Sequence, residues 1–315
     1  MSVPTIDDVR AAAARIQGRV RRTPMLAAAP LHAPLPSEMT LRLKLECLQV
    51  SGSFKARGAM STLTALDEDA LGRGLITASG GNHGLGVAYA GHAAGVPTTI
   101  YLPGNTPGAK ADSLRRWGAE VRFHGEVWDD ANEAAVAVAA RDGLTYVHPF
   151  ADARVIAGQG TVALEILEQA PKTEVLLVAI GGGGLISGTA LAAKALHPEI
   201  TVIGVEPVGA PTLFESLKAG RLVELPTIET RANTLAPRRS EAINLELIQQ
   251  NVDEIVLVTD EQMLAAAQWL WRECGLAVEL SAAAAVAALL SEAYVPAAGA
   301  EVTALVCGAG TDGLG

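Results

Sequence analysis

Val175-Leu176-Leu177-Val178-Ala179-Ile180 runs straight into Gly181-Gly182-Gly183-Gly184, and these into Leu185-Ile186-Ser187-Gly188-Thr189-Ala190. A short β-branched and leucine run, four glycines and an alanine-rich segment predict a buried strand, a tight loop and a helix N-terminus. One glycine is enough for a turn; consecutive glycines let the backbone itself come close to a ligand. The first N–H groups of a helix lack partners of their own, so the loop suits a phosphate or another compact anion. The plain alternative is a glycine-rich strand-to-helix turn that holds nothing.

Outward from this unit the same alternation repeats. Ile6, Val9, Ala13 and Ile16 recur at helical spacing, with Thr5 and Asp8 in capping-box positions, which predicts a helix over residues 5–20 ended by Thr23-Pro24. Leu41 to Glu46 alternates apolar and polar, as a half-buried strand does. Strands are then expected at 75–78, 98–102, 120–123, 201–205, 255–258 and 302–306. Helices fall between them, at about 109–117, 130–140 and 155–169. This order predicts an α/β fold with mostly parallel sheet covered on both faces, and ligands in such folds sit at the carboxyl ends of the strands.

The 315 residues are 50% hydrophobic and 18% charged, ample for a core, with mean hydropathy +0.28 raised largely by alanine. No apolar run approaches the roughly 20 residues that span a bilayer, and Met1 to Arg10 has no signal-peptide pattern. Cys47, Cys274 and Cys307 lie far apart, against a zinc ribbon or disulfide framework; a reducing cytoplasm is expected. With 34 acidic against 24 basic residues the net charge is −10, which disfavours nucleic acid as partner. No Gly-Lys dipeptide exists for a Walker A loop, no GxGxxG surrounds the glycines, and no HxH or HExxH pairing suggests a catalytic metal. The chain ends at Gly315, soon after the last strand, with no room expected for an appended regulatory domain.

A phosphate-bearing cofactor that also needs a lysine fits what remains. Ser51-Gly52-Ser53-Phe54-Lys55-Ala56-Arg57-Gly58 places Lys55 among small residues and Phe54, where desolvation lowers an amine's pKa. This motif, then Ser79-Gly80-Gly81-Asn82-His83-Gly84, then Gly181-Gly182-Gly183-Gly184-Leu185-Ile186-Ser187-Gly188, in this order, resembles the fold-type II pyridoxal-phosphate enzymes. Among these it looks most like the threonine/serine dehydratase and serine racemase branch. Further matching pieces are Lys44-Leu45-Glu46, His148-Pro149-Phe150, Val155 to Thr161, Ile203-Gly204-Val205-Glu206-Pro207 and Val306-Cys307-Gly308-Ala309-Gly310. The resemblance covers nearly the whole chain. It is specific for the family and much less so for the substrate.

The resemblance implies two open parallel-sheet domains of the tryptophan synthase β-like architecture. Residues 1–50 and 151–315 would form a large cofactor domain, and 51–150 an inserted small domain that grips substrate. Lys55 would carry pyridoxal 5'-phosphate as a Schiff base and then act as base on the substrate Cα, with Phe54 packed near the ring. Gly181, Gly182, Gly183 and Gly184 would cradle the phosphate, and Asn82 would hydrogen-bond the ring hydroxyl. Ser79, Gly80, Gly81, Asn82 and His83 would hold the substrate carboxylate. Without the resemblance, Asn82 and His83 read as a helix cap and a core imidazole.

Cys307 would face the pyridine nitrogen, a weaker electron sink than a carboxylate partner gives; on its own it reads as a small buried hydrophobe, and nearby Asp312 leaves the polarity of this corner open. The reaction implied is α,β-elimination from a 3-hydroxy amino acid, giving a 2-oxo acid and ammonia. Gly80 stands where racemases of this branch carry a second base, which weighs against serine racemisation. The family's divalent-cation site (Mg²⁺ or Ca²⁺) is matched by Glu206 and Ala210 and broken at Thr212. Asn233 to Pro237 and Val278-Glu279-Leu280-Ser281 also depart from the family pattern, pointing to a substrate such as 3-hydroxyaspartate beside threonine and serine. A homo-oligomer, most simply a dimer, is expected, with no membrane or nucleic-acid partner. A catalytically silent cofactor-binding protein is the remaining rival.

Overall fold

A computed structural model describes residues 3–314; Met1, Ser2 and Gly315 lie outside it. In chain order the elements are α1 (Ile6–Ile16), β1 (Met25–Ala27), β2 (Met39–Leu45), α2 (Lys55–Leu63), α3 (Glu68–Arg73), β3 (Leu75–Ala78), α4 (Asn82–Ala94), β4 (Thr98–Leu102), α5 (Gly108–Arg115), β5 (Glu120–Phe123), α6 (Trp128–Asp142) and β6 (Thr145–Tyr146). They continue as α7 (Ala153–Gln169), β7 (Val175–Ala179), α8 (Gly184–Leu196), β8 (Thr201–Pro207), α9 (Thr212–Ala219), α10 (Ala242–Asn251), β9 (Glu254–Val258), α11 (Asp260–Cys274), α12 (Leu280–Leu290) and β10 (Ala300–Val306).

The strands form two sheets, ordered β1-β2-β10-β7-β8-β9 and β5-β4-β3-β6, in two domains. Every pairing is parallel except β1 with β2. Parallel neighbours need crossover helices. In the larger sheet β7 is buried along its whole length. Helix α12 lies on β7 to β10 with six of its seven alanine-or-valine core positions from Ala282 to Ala288 wholly buried, and α11 packs over it. Alanine there keeps the helix close to the sheet, which accounts for the chain's alanine-derived hydropathy. In the smaller sheet Ile76, Ala78 and Tyr101 pack against α6, while Ile100 and Leu102 pack against Ala88 of α4 and Ala111 and Leu114 of α5. Alternate side chains of β4 thus face opposite helical layers.

Two readings need correction. The first helix stops at Ile16: Gly18 takes φ +73° and the N–H groups of Arg19 and Val20 turn back to the Ile16 carbonyl. The Thr5/Asp8 capping box is present. The alternation at 41–46 is also not that of a half-buried strand. β2 ends at Leu45, Glu46 opens a short 3-10 turn, and Lys44 and Glu46 are both fully buried.

Those two charges belong to a buried network. Lys44 Nζ donates to Thr23 O (2.8 Å), Glu165 Oε2 (2.6 Å) and Gln169 Oε1 (2.9 Å). Arg57, 1% exposed, forks onto Glu46 through Nε and Nη2 (both 2.8 Å) and onto Glu165 through Nη1 (2.7 Å) and Nη2 (3.0 Å), and Nη1 also reaches Thr161 Oγ1. Thr23 Oγ1 donates to the second face of Glu46. Two cations balance two carboxylates with their donors used, the condition under which buried ions are tolerated. Burial opposes the charge of Glu165, yet Arg57 and Lys44 hold its carboxyl below the ordinary range. The network ties the end of β2 and the first turn of α2 to α7.

Arg57→Met leaves the buried Glu46 without a cation, and urea unfolding is expected to show a loss of about 3–5 kcal/mol. Arg57→Lys recovers little of it, because an ammonium cannot fork onto both carboxylates.

Candidate active site

Lys55 is the first residue of α2, preceded by Ser53 and Phe54, which are sewn to the end of β10. Ser53 pairs with Gly308, Phe54 N–H donates to Cys307 O (3.2 Å), and Ala309 N–H donates to Gly52 O (2.8 Å). Two residues further on, Arg57 is clamped as described. Lys55 Nζ donates to Pro149 O at 2.5 Å and stands 5.2 Å from the centroid of the Phe54 ring. Burial brings its pKa down from 10.5 to about 8, with Cys307 and Glu279 opposing the shift.

Pro149 lies in the loop that also lines the tetraglycine turn. A Cβ on Gly182 would lie 2.2 Å from the Phe150 ring, one on Gly184 2.6 Å from Phe150 O, and one on Gly181 2.5 Å from Thr234 O. Gly183 caps α8 in the left-handed region (φ +93°), where a side chain is strained, and no side chain caps the helix. The first N–H groups of α8 are therefore open to an anion. Phe150 is fixed in turn by Asn244, whose Nδ2 donates to Phe150 O (3.1 Å) and Ser187 Oγ (3.2 Å), and Ser240 Oγ donates to Gly182 O (2.9 Å). His148 accepts from Phe150 N and Ala151 N at Nδ1, which puts its proton on Nε2. Burial, reinforced by the Lys55 charge, lowers its pKa to about 4.

Across the seam, Ser79 to Gly81 lead from β3 into α4, whose N-terminus has no side-chain cap. Gly84 lets the loop lie against the helix, since a Cβ there would meet Ser79 O at 1.9 Å. Asn82 opens α4 and donates from Nδ2 to Glu279 Oε1 (2.8 Å). His83 is turned away from this loop: it is 5% exposed, and Nε2 lies 3.0 Å from Thr77 Oγ1 and 2.9 Å from Val147 O. Burial, with the Lys55 charge adding to it, takes its pKa to about 3. Its imidazole is a neutral part of the core, and only its backbone remains near the loop.

Cys307, 3% exposed, points its Sγ at Ser281 O (3.9 Å). Burial pushes its thiol well above the ordinary value, so it is uncharged. Asp312, left open by the sequence, is exposed and accepts from Leu280 N–H (3.3 Å) at the start of α12. Lys55, Phe54, Cys307, Asn82 and Glu279 thus meet at the junction of the two domains. Sequence reasoning gave no role to Phe150, Asn244 or Ser240 and none to Glu279 toward Asn82; Phe150 and Glu279 stand in the quoted His148-Pro149-Phe150 and Val278-Glu279-Leu280-Ser281, and nothing signalled the other two.

The positions matched to a cation site are otherwise engaged. Glu206 accepts from Leu213 N (2.9 Å) and Phe214 N (2.7 Å), capping α9; Ala210 O accepts from Thr212 N (3.0 Å); and Thr212 Oγ1 donates to Pro237 O (2.7 Å). Among the described residues no three His, Cys, Asp or Glu side chains gather as metal ligands. These donors do not fit a divalent cation. A half-buried lysine of lowered pKa beside a cradle that any Cβ would fill does fit a phosphate-bearing aldehyde cofactor.

With this geometry in place, the chain belongs to the pyridoxal-phosphate dependent enzyme family, matched over residues 16–308. It is 38% identical to the L-threonine ammonia-lyase of Thermotoga maritima, over 98% of this chain and 76% of that one. It is 37% identical to the phenylserine dehydratase of Ralstonia pickettii, over 99% and 94%. The solved structure of maize serine racemase superposes with TM-score 0.92 at 33% identity, covering 98% of this chain and 94% of that one. The fold is the fold-type II architecture expected from the sequence. Among the described residues no helix is long and apolar enough to cross a membrane.

The Lys55 amine is neutral and nucleophilic above about pH 8 and protonated below it. In cofactor-free protein its acylation by acetic anhydride, followed by mass spectrometry, is expected to level off above pH 8 while surface lysines keep gaining reactivity toward pH 10.

Proposed function

We propose that the chain is an ammonia-lyase that uses pyridoxal phosphate to dehydrate a 3-hydroxy amino acid of the threonine or serine type to a 2-oxo acid and ammonia. The observation that carries this reading is Lys55, a half-buried amine of lowered pKa beside the tetraglycine turn, with no side chain at Gly80 to act as its counterpart. When bound, the cofactor draws electrons from the substrate Cα and so acidifies its proton. The chain's own groups do the rest. The amides of Gly181 to Gly184 and the start of α8 hold the phosphate. Asn82 donates to the ring hydroxyl, Phe54 packs by the ring, and the uncharged Cys307 thiol faces the ring nitrogen without adding charge. Ser79, Gly80, Gly81 and the open N-terminus of α4 bind the substrate carboxylate, and the Lys55 amine accepts the Cα proton at Nζ.

A racemase must also return a proton from the far face. At Gly80 no group can do so, and a Cβ there would already lie 3.3 Å from Leu102 and 3.4 Å from Thr106. The alignment with phenylserine dehydratase along 94% of that protein's length favours a substrate bulkier than threonine as the second reading. 3-Hydroxyaspartate is the acidic variant of the same idea. The same reading takes residues 51–150 as the substrate-gripping domain and 1–50 with 151–315 as the cofactor domain, in a cytoplasmic homodimer. It places no divalent cation at Glu206.

Purified protein loaded with pyridoxal phosphate is expected to show a visible absorbance band that Lys55→Ala abolishes, with turnover down at least about a thousandfold. Of L-threonine, L-serine, L-threo-3-hydroxyaspartate and L-threo-phenylserine, at least one releases a 2-oxo acid; a band with no product from any of them overturns the activity. Dialysis against EDTA, and return of Mg²⁺ or Ca²⁺, leaves Tm and turnover unchanged. A cation-dependent rise in Tm would place an ion at Glu206 after all.

A further inference from the structure

One half-buried carboxyl at the seam is unused by the reaction as described. Glu279 lies just before α12 and accepts from Asn82, 197 residues away in sequence and at the head of α4 in the other domain. Its place is prepared by two glycines. A Cβ on Gly308 would lie 2.3 Å from Glu279 Oε1, and one on Gly310 would lie 2.9 Å from Glu279 Cβ. Backbone bridges Val278–Ala309 and Ser53–Gly308 set the three segments side by side. Main-chain pairing therefore delivers Glu279, Cys307 and Lys55 to one spot independently of any cofactor.

A carboxamide is two-faced, with a donating nitrogen and an accepting oxygen of nearly the same shape. An ionised Glu279 can only accept, so the amide nitrogen must face it, as the Asn82 Nδ2 to Glu279 Oε1 bond has it. We propose that Glu279 is a positioning residue that locks the Asn82 amide the right way round, so that the second N–H of the same nitrogen becomes a fixed donor to the ring oxygen of the bound cofactor. This rests on the pyridoxal-phosphate reading above. Without Glu279 the amide is free to turn over and offer its oxygen, which repels an ionised ring oxygen. The proposal also gives Gly308 and Gly310 a reason: side chains at either position would displace the carboxyl.

The test is a pyridoxal-phosphate binding titration of cofactor-stripped protein, with far-UV circular dichroism and Tm recorded on each stripped variant. Glu279→Leu is expected to weaken binding about 10- to 100-fold, as Asn82→Ala does, in line with the loss of a hydrogen bond to a charged group. The double variant binds no more weakly than Asn82→Ala alone, because both substitutions remove one function. Glu279→Gln can accept from Asn82 in only one of its two orientations and is expected to recover part of the binding lost in Glu279→Leu. If Glu279→Leu does not fold, Glu279→Asp, which withdraws the carboxyl by one methylene, takes its place with the same expected loss. Parent-like binding by Glu279→Leu overturns the proposal, as do additive losses in the double variant or a Glu279→Gln as weak as Glu279→Leu. A parent protein that binds no pyridoxal phosphate sinks the cofactor reading itself, a separate result.

Discussion

The ion network of Arg57, Glu46, Glu165 and Lys44 is the constraint on which the site depends. The role proposed for Lys55 needs an amine held still and partly dehydrated, and Arg57, half a turn along α2 and forked between two carboxylates, fixes the turn that carries it. Taking four charges out of water is costly, and the cost is offset only where every donor has an acceptor. That requirement fixes three elements against one another: the end of β2, the start of α2 and the middle of α7. Apolar packing alone, being non-directional, would leave α2 freer to rotate about its axis.

The second constraint is the absence of side chains. Phe150, Thr234 and Leu213 press so close to the tetraglycine turn that a Cβ on any of its four glycines would strike one of them. Phe150 is also one residue from the carbonyl that holds Lys55. The phosphate cradle and the amine are therefore two sides of one loop, 148–150, and a displacement of that loop moves both. The third side, Asn82, comes from the other domain and is joined to the first two through Glu279. The residues proposed to act meet where the two sheets' domains join, as expected where ligands bind between packed domains.

Much of this was legible in the chain itself. The strand–glycine–helix unit at 175–190, the order of strands and helices, and the three motifs around Lys55, Asn82 and Gly181 all depend on local residue type. The alternation at 41–46 misled for a physical reason. A polar residue at every second position means a solvent-facing side when its neighbours are water, but β2 lies between β1 and β10 and its charges meet Arg57 and Glu165. His83 shows the converse: within its motif it reads as a ligand-gripping residue, while Thr77 and the Val147 carbonyl claim its ring for the core.

The sequence by itself determined the α/β class and the strand–glycine–helix turn, because each follows from what a residue is and from its near neighbours; the roles proposed for Lys55 and Gly80 rest on the resemblance of their motifs to a known family. Tertiary structure alone decided that Lys44 and Arg57 are buried ions, that Thr212 and Glu206 bond to backbone groups, and that Glu279 reaches Asn82. Those outcomes turn on partners more than a hundred residues away, or on a backbone turn that no pattern of side chains announces. Burial and hydrogen-bond partnership are properties of the neighbourhood, and only the fold supplies the neighbours.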